Sequence, residues 1–135
     1  MSSVQASEPT IGGRVLIVDD YPDSAASASM LLGLFGCECR TASSGREALE
    51  QAAEFDPEIV LLDIGLPDIS GYEVARLLRA RQGSRRLYLA AVTGWGQAED
   101  RARALAAGFD QHVLKPTNAA TIRLILEQAH AGSRG

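Results

Sequence analysis

An α/β fold, in which helices cover both faces of a parallel sheet, is what this sequence predicts. Three observations carry the prediction. Short apolar runs and amphipathic stretches alternate five times along the 135 residues, as crossover-connected parallel strands require. Ile59-Val60-Leu61-Leu62 is apolar at every position and lies between Asp56-Pro57 and the breakers Gly65, Pro67 and Gly71, so it reads as a strand buried on both faces. Four of the strand-like runs also finish on polar residues: Val15-Leu16-Ile17-Val18 on Asp19-Asp20, the central run on Asp63, Leu89-Ala90-Ala91-Val92 on Thr93, and His112-Val113-Leu114 on Lys115. In a parallel sheet these tips share one edge, where open α/β proteins place their ligand sites.

Each element has its own signal. Residues 1–13 are rich in Ser, Gly and polar side chains and are expected to form a flexible leader, with one domain over 14–130 and a fraying tail over 131–135. The first strand runs from Arg14 to Val18 and is stopped by Tyr21-Pro22. Ala25, Ala28, Leu31, Leu32 and Phe35 mark one face of a helix from about Asp23 to Phe35, ended by Gly36. Cys37 to Ala42 alternates, with Glu38 and Arg40 out and Cys39 and Thr41 in, as a half-exposed edge strand would. Ser44-Gly45-Arg46-Glu47 has capping-box spacing and opens a helix carrying Ala48, Leu49, Ala52 and Ala53 inward; Asp56-Pro57 closes it. Ser70-Gly71-Tyr72-Glu73 is a second capping box. The helix it opens turns Val74, Leu77 and Leu78 to the core and Arg76, Arg79 and Arg81 to water, and ends at Gln82-Gly83-Ser84. Tyr88 to Val92 is the fourth strand. A Gly94-Trp95-Gly96 loop leads into a helix with Glu99-Asp100 in its first turn, Leu105 inward and Gly108 at its end. After the last strand, Ile122, Ile125, Leu126 and Ala129 define the inner face of the final helix.

Composition narrows the function. Apolar residues make up 46% of the chain, ample for one core, and the net charge of −4 does not indicate a nucleic-acid surface. The first residues lack the apolar core of a signal peptide, and no run approaches membrane-spanning length, so a cytoplasmic location is expected. Cys37 and Cys39 share a sheet face, but without matching ligands elsewhere they read as small strand residues rather than a zinc site.

The motifs Val18-Asp19-Asp20, Leu62-Asp63 followed by Gly65-Leu66-Pro67-Asp68 and Gly71, Val92-Thr93-Gly94, and Lys115-Pro116 are each weak alone. In this order, each at a strand end, they are specific together, and over roughly Arg14 to Ala129 the chain resembles the receiver domain of bacterial two-component response regulators. The resemblance implies a flavodoxin-like, doubly wound five-stranded parallel sheet of order 2-1-3-4-5, which makes Asp20 and Asp63 neighbours at the switch between strands 1 and 3.

Three carboxylates within a few ångströms repel one another and one lysine cannot offset them, so raised carboxyl pKa values and a hard divalent cation are expected. Mg2+ would take Asp20 and Asp63 directly, Asp19 directly or through water, and, as the resemblance implies, the backbone carbonyl of Gly65. Asp63 would be the nucleophile that accepts a phosphoryl group; the resemblance implies a phosphohistidine on a histidine kinase or phosphotransfer protein as donor, for which a small acyl-phosphate or amidophosphate can substitute. Mg2+ and Lys115 would supply positive charge to the transferring oxygens. Thr93 would hydrogen-bond the phosphoryl group and pull its loop inward, switching a surface for a downstream protein partner. The resemblance also implies a cis Lys115-Pro116 bond. The chain itself shows no kinase motif, and neither His112 nor His130 is well placed as a phosphodonor.

Departures from the family pattern bear on mechanism. Many receivers carry Tyr or Phe three residues before the lysine, where this chain has His112, which can titrate near neutrality. Trp95, two residues after Thr93, either covers the phosphoryl site and limits hydrolysis or docks a partner. A phosphohydrolase with an aspartyl nucleophile is the alternative enzyme reading, but it would want an acid–base carboxylate where Gly65 stands. The third alternative is a receiver-like binding module that acts without phosphorylation. The short tail after Ala129 is expected to leave no room for an output domain, so the chain reads as a stand-alone receiver or one cut from a hybrid kinase, catalysing only its own phosphorylation and dephosphorylation. It would be a monomer or a phosphorylation-dependent dimer, the latter through Arg101, Arg103 and Arg123 facing Asp100 and Glu127.

Overall fold

A computed structural model describes residues 13–82, 87–94, 101–115 and 117–134. Strands β1 (Gly13–Val18), β2 (Cys37–Ala42), β3 (Ile59–Asp63), β4 (Tyr88–Thr93) and β5 (Gln111–Leu114) alternate with helices α1 (Pro22–Leu34), α2 (Gly45–Phe55), α3 (Gly71–Gln82), α4 (Arg101–Ala107) and α5 (Ala119–Arg134). All neighbouring strands pair in parallel, as the alternation of elements predicts, in the order β2-β1-β3-β4-β5 that the receiver resemblance implies. Gly13 already pairs with Cys37 in β1, and α5 continues to Arg134. Residues 131–134, expected as a tail, are therefore helical in backbone.

Strand alternation divides the core in two. Leu16, Val18, Val60, Leu62, Leu89 and Ala91 point to the face covered by Ala48 of α2, Val74, Ala75 and Leu78 of α3, and Ala104 and Ala107 of α4. Val15, Ile17, Ile59, Leu61, Ala90 and Val92 point to the opposite face, where Ala25, Ala28 and Leu32 of α1 meet Ile122, Ile125, Leu126 and Ala129 of α5. Every residue of β3 is buried. Each such Leu or Ile contributes about 1.5–3 kcal/mol by leaving water.

Local chemistry sets the helix ends. Tyr21 is extended and Pro22 opens α1, where a missing N–H costs nothing. Ser44 Oγ accepts from Glu47 N at 3.1 Å, but the Glu47 carboxylate reaches back to Ser43 N at 2.8 Å, so the expected capping box is displaced by one residue. Ser70 Oγ likewise accepts from Glu73 N, at 3.3 Å. Asp56 ends α2 in the left-handed region, at φ 54. Arg14 Nε donates to the carbonyls of both Phe55 and Asp56 there.

Two inward helix assignments fail because a helix lying flat on a sheet buries small residues close in, and longer side chains beside them reach the rim. Leu77 is 37% exposed and Leu105 60%, whereas Ala75, Ala104 and Ala107 are buried. Ala53 and Thr41 are exposed, and Phe55 is buried in place of Ala53. Arg79, expected to face water, is instead a clamp. Its guanidinium donates to the carbonyls of Gly108 and Leu87 and to Asp110 at 2.6–2.9 Å, tying α3 to the chain entering β4 and to the turn between α4 and β5.

Candidate functional site

The polar tips of β1 and β3 meet. Asp19 and Asp63 are both buried, Asp20 is exposed, and one carboxylate oxygen from each of the three lies within 4.8 Å of the others. The juxtaposition follows from the strand order, because β1 and β3 pair in the sheet although β2 lies between them along the chain.

Lys115 stands just past β5, and its backbone N–H donates to Thr93 O at 2.7 Å. Its ammonium bridges the pocket, 3.0 Å from Asp63 Oδ2 and 3.2 Å from Asp19 Oδ2. The remaining oxygens have backbone partners: Asp63 Oδ1 accepts from Gly65 N at 3.0 Å, and Asp19 Oδ1 from Tyr21 N at 2.9 Å. Burial pushes the Asp19 carboxyl up, against the opposing pull of the Tyr21 amide and Lys115. Burial alone would lower Lys115, but its hydrogen bond and charge pairing with Asp63, joined by Asp19, outweigh that and raise it. The lysine is therefore held charged.

Thr93 is 1% exposed at the tip of β4, on the strand beside Asp63. Its hydroxyl lies 3.4 Å from His112 Nε2 on β5, so the residue standing where many receivers carry Tyr or Phe lies beside Thr93. Trp95 and Pro116, and with Pro116 the cis bond, lie outside the described residues, as do Glu99, Asp100 and the leader 1–12. A cleft of about 250 Å³ opens beside the pocket between α1 and the end of β5, lined by Asp19, Tyr21, Ser24, Ser27, Lys115 and Thr117.

The donor set suits a hard divalent cation. Three clustered carboxylates against one ammonium leave uncompensated negative charge in a half-buried pocket, with no sulfur or imidazole in the acidic group. Oxygen-only ligation of this kind favours Mg2+ or its equivalents.

In the sequence Asp68 reads as the last residue of the Gly65-Leu66-Pro67-Asp68 motif, with no role of its own. In the structure its Oδ1 accepts from Gly45 N at 2.8 Å and its Oδ2 from Arg46 N at 3.0 Å, capping α2 from across the fold. Those two amide bonds hold its carboxyl below the usual range. A cap supplied from 23 residues away leaves no local spacing to find.

Comparison with known proteins agrees with this geometry. The family model described as the response regulator receiver domain matches residues 15–127. The transcriptional regulatory protein KdpE of Mycobacterium tuberculosis is 40% identical over 102 residues, 76% of this chain and 44% of that protein. The virulence sensor protein BvgS of Bordetella pertussis is 34% identical over 130 residues, 93% of this chain and 10% of that protein. A solved CheY-like receiver domain from Methanospirillum hungatei superposes with a TM-score of 0.74 at 29% identity, over 88% of this chain and 97% of that one. The chain belongs to the response regulator receiver family. It spans less than half the length of the curated relatives it matches.

Proposed function

We propose that this receiver accepts a phosphoryl group on Asp63 from a histidine kinase or phosphotransfer protein, in a Mg2+-dependent step, and signals through a changed surface at the strand tips. The observation that carries the reading is the Lys115 ammonium placed against both Asp63 and Asp19 in a pocket of three carboxylates.

The residues divide the work. One Asp63 oxygen attacks phosphorus as the bond to the donor imidazole nitrogen breaks, and the imidazole leaves with that electron pair. Gly65 N and Lys115 Nζ orient the carboxylate before reaction, one on each oxygen. Lys115, already charged, can follow the developing negative charge on the phosphoryl oxygens without a proton moving. Asp19, Asp20 and Asp63, with the carbonyl of Gly65, are the residues that would hold Mg2+. When bound, the ion supplies charge neutralisation and a template for in-line transfer. In this reading Thr93 turns its hydroxyl, 3.4 Å from His112 Nε2 in the structure, to the phosphoryl group, and that move is the switch. Trp95 would tune the lifetime of the product.

Helix α1 supports the partner assignment. From Ser24 to Cys37 the chain carries no charged residue, yet Met30 is 70% and Leu34 79% exposed. An uncharged outer face beside the cleft suits contact with a phosphodonor protein. None of the described helices is long and apolar enough to cross a membrane, and both the donor and the site of action are taken as cytoplasmic.

A hydrolase reading has less support, since Gly65 offers no acid–base group. Intact-mass spectrometry after incubation with acetyl phosphate tests the proposal. Wild type should gain one phosphoryl mass only when Mg2+ is present, and Asp63→Asn should gain none. An Asp63→Asn protein labelled as fast as wild type would refute it.

A further inference from the structure

We propose that Asp68 is a positioning residue for the phosphoacceptor pocket: by capping α2 with both carboxylate oxygens, it fixes the β3–α3 loop and thereby the Gly65 backbone that orients Asp63. The inference rests on the phosphoacceptor reading of that pocket.

The loop from Ile64 to Ser70 has to hold Gly65 still, because the Gly65 amide is bonded to Asp63 Oδ1. Leu66 N and Gly71 N both donate to Ile64 O, at 3.0 and 2.9 Å, so the second of these bonds closes the loop end to end. Between those bonds Leu66 and Ile69 pack against the core, and the side chain that carries the loop across to α2 is that of Asp68. Its two oxygens take the first two amides of α2, a geometry that charge-assisted bonds to orphan helix donors make strong for its size. The fit is built from the other side as well. A Cβ on Gly45 would lie 2.9 Å from both Ile69 Cβ and Val74 Cγ2, so only glycine lets the start of α2 approach this closely. Helix and loop are shaped to each other, and the carboxylate locks them.

A merely structural cap and a positioning cap differ in what they move. Ser44 caps the same helix through Glu47 N, and that bond ties nothing in the loop. Asp68→Ala and Ser44→Ala should therefore lower thermal stability by similar amounts. Only Asp68→Ala should shift the Gly65 amide proton upfield in metal-free protein, as its bond to Asp63 loosens. Only Asp68→Ala should weaken Mg2+ binding, measured by calorimetric titration, by about tenfold, the scale of groups that orient ligands. Both effects absent in Asp68→Ala, or present to equal extent in Ser44→Ala, would overturn the proposal. The amide shift is read without metal or phosphate, so it stands or falls separately from phosphorylation itself.

Discussion

Gly71 is specified by backbone rather than by side-chain neighbours. A Cβ there would lie 2.6 Å from Ile64 Cα and 2.7 Å from the Asp63 carbonyl oxygen, and neither can move without disturbing the proposed phosphoacceptor. Gly71→Ala should cost about 1–3 kcal/mol, read as a lower denaturation midpoint. Gly33→Ala on α1, where the added methyl meets open space, should be neutral or stabilising. A Gly71→Ala protein as stable as wild type would contradict this account of the loop. At this scale the sequence is informative where chemistry is concentrated: Asp19, Asp20, Asp63 and Lys115 come together as their strand-end positions imply. It is silent where a residue works at a distance. Arg79 looks like an ordinary surface charge and Asp68 like one member of a loop motif, and only the fold shows that each ties two elements together through backbone groups.

Helices and strands are legible by period, and the errors fall on which members of a face go deepest. Leu77 and Leu105 satisfy an i, i+3, i+4 pattern, but the sheet is near enough that Ala75 and Ala104 fill the space instead. Periodicity gives a face; it does not give the depth at which that face meets its neighbour. For α1 the absence of an amphipathic pattern is itself informative, since a helix uncharged over its outer face expects cover. Met30→Glu and Leu34→Glu should slow phosphoryl transfer from the protein donor at least several-fold while leaving labelling by acetyl phosphate unchanged, measured side by side with radiolabelled donor. Equal rates from the protein donor for variants and wild type would remove α1 from the docking surface.

The whole molecule brings the site together through strand order. With β1 and β3 adjacent, Asp19 and Asp20 fall beside Asp63, and β4 and β5 bring Thr93 and Lys115 to the same edge. No single motif contains the pocket, which is why four weak signals together are needed to read it. The core beneath it is closed on both faces, so a change in charge at Asp63 would be felt at the strand tips and the loops that leave them, close to where Thr93 of β4 approaches His112 of β5. What the chain does with that change depends on partners, and its relatives include both a transcriptional regulator and a sensor protein. The most direct test is to trap the product. After acetyl phosphate and Mg2+, borohydride reduction converts an aspartyl phosphate to homoserine, which peptide mass spectrometry locates. The account predicts homoserine at position 63 alone, lost when Mg2+ is chelated. Homoserine at another aspartate, or an unchanged yield without Mg2+, would contradict it.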